Sequence, residues 1–128
     1  MVNPTKLKKL KIVLEKNNTS LKAEEIEEIL QHEKNEDLKN FLTGLKHISE
    51  RHYTEAIKWL QLSNCKDASA LIALLAFKVG DMFLYEEYAN EKVEKDCIKQ
   101  LNISIYLSTD TKKIPFSIEN IKKLPEII

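Results

Sequence analysis

Only two glycines and three prolines punctuate the 128 residues. Tight turns between strands draw on residues that tolerate positive φ, glycine first among them. A chain so poor in these breakers is expected to be helical rather than many-stranded. Gly44 and Gly80 also lie too far apart to build a glycine-rich phosphate loop.

Apolar residues recur at helical spacing along most of the chain, and six or seven helices are expected. The first covers residues 5–16, with Leu7, Leu10 and Leu14 on one stripe and Val13 beside it. Asn17, Asn18, Thr19 and Ser20 form a polar break that can cap the next helix. That second helix covers 21–33, and its glutamates Glu24, Glu25, Glu27 and Glu28 read as a solvated face. Helices over 36–50 and 54–62 follow, the latter with Trp59 and Leu62 off its main apolar face and in need of a second surface. The segment 68–79 is apolar nearly all round and must be covered on several sides, with Gly80 as its C-cap. Helices over 82–92 and 95–107 complete the set. Leu101, Ile103, Ile105 and Leu107 also alternate, a pattern that admits a strand. The expected fold class is all-α, one helical domain over 1–107. A tail over 108–128, with Pro115 and Pro125, is loosely docked or disordered.

Function classes narrow by exclusion. Twenty Lys plus Arg balance twenty Asp plus Glu, and a zero net charge argues against a nucleic-acid binder. Residues 1–18 nonetheless carry five Lys and one Glu, a bias that suits an acidic partner or a solvated face. The start of the chain lacks the apolar stretch of a signal peptide. The longest apolar run, 70–77, is too short for a membrane span, so the protein is expected in the cytoplasm without membrane insertion. Cys65 and Cys97 fit no CxxC pattern and read as free buried thiols. His47 and Glu50 could place two metal ligands on one helix face, but no third ligand stands at a diagnostic distance. No nucleophile, acid/base pair or cofactor motif is evident, and an enzyme, a cofactor or a metal is not expected.

Tyr53, Ala56, Leu60 and Ser63 follow the aromatic, small, large, small series of a tetratricopeptide second helix, and Gly44 matches the small residue of the preceding one. Arg51 stands where the turn usually has Gly. With Ile29-Leu30, Phe41-Leu42 and the stretch Leu74 to Gly80, the whole resembles the small tetratricopeptide-like chaperones of type III secretion needle subunits. The resemblance implies degenerate helical hairpins that hold an aggregation-prone helical needle subunit monomeric, together with a small helical co-chaperone. A chaperone of a translocator protein or a generic adaptor or regulator is the alternative. The implied guest contacts are Leu42, Leu45, Leu71, Leu75 and Lys78 on the groove-lining helices, with Trp59 from the convex side.

Overall fold

The stretch expected as one long first helix divides in two. In the computed structural model, which describes residues 4–128, a short helix α1 (Pro4–Lys9) is followed by a strand β1 (Lys11–Lys16). Residues 1–3, part of the start read above as no signal peptide, lie outside the described residues. Leu10, Ile12 and Leu14 satisfy a period of two as well as the helical stripe, and β-branched Ile12 and Val13 favour the extended form. Asn17 and Asn18 both take positive φ, 55° and 63°. They form the two-residue turn of a hairpin, pairing Lys16 with Thr19 and Glu15 with Ser20 in β2 (Thr19–Ser20). The polar break is thus a strand turn rather than a helix cap.

The five central helices lie where periodicity puts them: α2 (Ala23–His32), α3 (Glu36–Ser49), α4 (Tyr53–Gln61), α5 (Lys66–Val79) and α6 (Met82–Ala89). Asn35 accepts from the Leu38 N–H at 3.1 Å and Asp81 from the Leu84 N–H at 3.1 Å, capping α3 and α6. Gly80, at φ 86°, ends α5 in the left-handed conformation, and the Asp81 N–H returns to the Ala76 carbonyl at 2.8 Å.

The expected last helix also divides. A single turn and a half, α7 (Cys97–Leu101), stops at Asn102 in the left-handed region, φ 54°. The chain then runs as β3 (Ser104–Ser108) and turns into β4 (Lys113–Pro115). The sheet is antiparallel throughout, in the order β2-β1-β3-β4. Ile12 faces Leu107 and Leu14 faces Ile105 across β1 and β3, while Leu107 faces Ile114 across β3 and β4. These side chains belong to the same apolar cluster as the helices. The fold is therefore mixed, and the all-α expectation is corrected by this four-stranded sheet. The tail, expected to be loosely docked or disordered, contributes α8 (Ile118–Lys122) and α9 (Leu124–Ile127), with Ile121 and Leu124 buried. The Tyr85 hydroxyl donates to the Ile121 carbonyl at 2.6 Å and ties α8 to α6.

α5 is the centre, buried on every side from Asp67 to Phe77. It is covered by α4, α6, α8, α1 and α7. Among the described residues no helix is long and apolar enough to cross a membrane.

Gly44 sets how closely α3 and α4 approach. A Cβ there would lie 2.7 Å from Leu60 Cγ and Cδ2 and 3.5 Å from the Ala56 carbonyl oxygen. Leu60 is fully buried and has nowhere to move. Gly44→Val is expected to cost about 3 kcal/mol through overpacking, although valine is the better helix former. Urea denaturation of the variant measures it.

Candidate functional site

Lys78 is the expected guest contact that leads to a site. It is half-buried at the end of α5, and its ammonium donates to the carbonyl of Leu10 and, at 3.5 Å, to that of Leu7. It also sits 5.7 Å from the centre of the Tyr53 ring. Lysine near the last carbonyls of a helix C-terminus is favourable, here for α1. Burial lowers its pKa, and the nearby positive charge of Arg51 lowers it further. Lys78 thus joins α1 to α5. A carboxylate in its place would face the same carbonyls, so Lys78→Glu is not a neutral surface exchange.

Around it opens a cleft of about 580 Å³. Lys8 and Lys11 line it from α1 and β1, Arg51 from the α3–α4 turn, and Lys78 from α5. Leu10, Ile12, Ile48, Val79 and Tyr53 supply apolar wall, and Ser49 a hydroxyl. Among the described residues, no carboxylate lines the cleft. Among the described residues, none pairs with any of its four cations. Four like charges around a partly apolar concavity focus a positive potential on it.

Arg51 owes its place to the backbone. It has φ 63°, its N–H returns to the Ile48 carbonyl at 3.0 Å, and the His52 N–H returns to His47 at 2.8 Å. This left-handed residue closes α3 and starts α4 two residues later. Beyond Val79, Met82 and Phe83 are exposed, Phe83 by 84%.

The other expected contacts lie elsewhere. Leu42, Leu45, Leu71 and Leu75 are fully buried in the core, so in this structure they form no open groove. Trp59 is 37% exposed on α4, near the exposed Leu62, and does not line the cleft. The Lys-rich start and the unusual arginine at the turn are both visible in the sequence. Their junction is not, because it depends on β1 returning past the end of α5.

A second polar centre joins α5 to α7. Asp67 accepts from the N–H groups of Cys97 at 2.7 Å and Ile98 at 2.9 Å. Ser63 Oγ lies 3.7 Å from Cys65 Sγ and 3.8 Å from Cys97 Sγ, and both thiols are free and buried. The hydrogen bond from Cys97 brings the Cys65 thiol down to about 7, against burial. The Cys97 thiol is pushed up by the same bond and by burial. Burial likewise pushes Asp67 up to about 6, opposed by the Ile98 N–H and aided by Asp96. Burial would raise Asp96 too, but the Lys99 N–H, the bond from Asp67 and Lys66 hold it low.

The sign of this linkage is fixed. A carboxyl with a raised folded-state pKa contributes stability below about pH 4, which is lost as pH rises through about 6. An asparagine side chain in its place would accept the same backbone N–H groups and donate to Asp96 without titrating. Asp67→Asn is therefore expected to gain several degrees in melting temperature over the wild type at pH 8 and little at pH 4. Paired thermal melts across that range check it, and an equal difference at both pH values would contradict it.

No known protein-family model, curated protein or solved structure matches the chain.

Proposed function

We propose that this chain is a non-catalytic binding module that takes an acidic, partly apolar segment of a partner protein into the Lys8–Lys11–Arg51–Lys78 cleft. The supporting observation is the set of four cations with no carboxylate among the described lining residues, in a chain whose net charge is zero. Acidic side chains meet the rim charges, while apolar ones meet Ile12, Ile48, Tyr53 and Val79. A nucleic acid fits less well, because the net charge is zero and α2 carries Glu24, Glu25, Glu27 and Glu28. The free buried thiols suit a reducing cytoplasm.

A second reading comes from the likeness to type III secretion chaperones. The partner would be a helical secreted subunit, held with a small helical co-chaperone. The exposed Trp59 on α4 and Leu62 just past its end support a helix-docking face. The two readings separate with a fluorescent helical peptide rich in Glu and Leu. Cleft binding weakens steeply with added salt and is lost when Gln replaces Glu. Binding to the α4 face tolerates both changes and fails in Trp59→Ser.

A further inference from the structure

The α3–α4 turn gathers three side chains that the sequence leaves apart. His47 and Glu50 lie one helical turn from each other at the end of α3, and the left-handed Arg51 swings His52 back toward them. One ligand atom from each of the three lies within 4.8 Å of the others. The two imidazole rings are 5.8 Å apart and tilted by 44°. His47 Nδ1 is buried and has no hydrogen-bond partner among the described residues. A buried polar atom left in that state is costly, and a cation bound by the ring would change its surroundings. Glu50 and His52 are exposed and take part in no ion pair or side-chain hydrogen bond among the described residues. Their side chains are free to close on an ion.

We propose that His47, Glu50 and His52 bind a divalent transition-metal ion of the zinc type, with water in a fourth position. Two imidazoles and one carboxylate select zinc, cobalt or nickel over calcium and magnesium, which prefer all-oxygen sets. Zinc bonds of roughly 2.1 Å place tetrahedral ligands about 3.4 Å apart. Rotation of the two exposed side chains supplies the remaining approach. Arg51 and Lys46 stand beside the site and oppose a cation, so affinity in the micromolar range is expected. The bound ion would brace the backbone on both sides of Arg51, at the edge of the cleft.

Cobalt titration of the metal-free full chain at neutral pH tests this, with zinc as competitor. The expected result is one equivalent of bound cobalt, with visible bands that zinc displaces and no sulfur charge-transfer band. His52→Ala and Glu50→Gln, both surface changes, should each weaken binding at least tenfold with an unchanged circular dichroism spectrum. Absence of saturable binding would overturn the site. So would binding that survives both variants, or binding that disappears in Cys65→Ser.

Discussion

Leu74→Asp is expected to leave the chain unfolded at room temperature. Leu74 is fully buried at the middle of α5, the helix packed against α1, α4, α6, α7 and α8. A carboxylate there has no partner within the apolar cluster and must ionise unpaired or fold as the neutral acid. Either route adds several kcal/mol to the loss of the leucine's packing. The native state of a domain this size has only about 5–15 kcal/mol in total. A thermal melt followed by circular dichroism measures it. A cooperative transition within a few degrees of the wild type would show that α5 is not enclosed as described.

The second large effect concerns the cleft. Lys11→Glu combined with Arg51→Glu is expected to weaken capture of the acidic peptide by roughly thirtyfold at low salt. Each reversal replaces an attraction with a repulsion worth about 1 kcal/mol, and 1.4 kcal/mol is a factor of ten. Both residues are exposed and outside every ion pair among the described residues, so the fold should persist. Glutamate at position 51 meets the same left-handed backbone that arginine already tolerates. Lys78 is left intact because its ammonium holds the end of α1. A stable double variant with undiminished affinity would remove the cleft from the function.

The central helices were legible because their patterns are local. Leu38, Phe41, Leu42, Leu45 and Ile48 repeat at helical spacing, and all are buried on α3. The alternation of Leu101, Ile103, Ile105 and Leu107 signalled β3, but β1, β2 and β4 were not legible, for two reasons. Counting glycines undervalued asparagine, since Asn17, Asn18 and Asn102 take the positive φ that the turns require. The pairing of β1 with β3 also joins distant parts of the chain, and a strand's preference depends on such neighbours. Leu10 and Leu14 suit either a helix or a strand until Leu107 and Ile105 are in place.

The same omission misplaced the expected groove. A helical-hairpin reading leaves the stripes of α3 and α5 open, so Leu42, Leu45, Leu71 and Leu75 looked available to a guest. In the fold, α7 covers α3, while α1 and α8 cover α5. Those covers come from the segments whose structure was misread or left loose. Of the cleft, the lysine-rich start and Lys78 were visible in sequence. Their meeting with Arg51 was not, because it is made by tertiary packing alone.

Amide chemical shifts of the ¹⁵N-labelled chain, followed as the Glu- and Leu-rich peptide is added, show whether the cleft is where the partner binds. Changes concentrated at Lys8, Lys11, Ile12, Ser49, Arg51, Tyr53 and Val79 are expected, suppressed by salt and absent with the Gln-substituted peptide. Changes confined to the α4 face around Trp59 and Leu62, with the cleft amides unmoved, would contradict binding in the cleft.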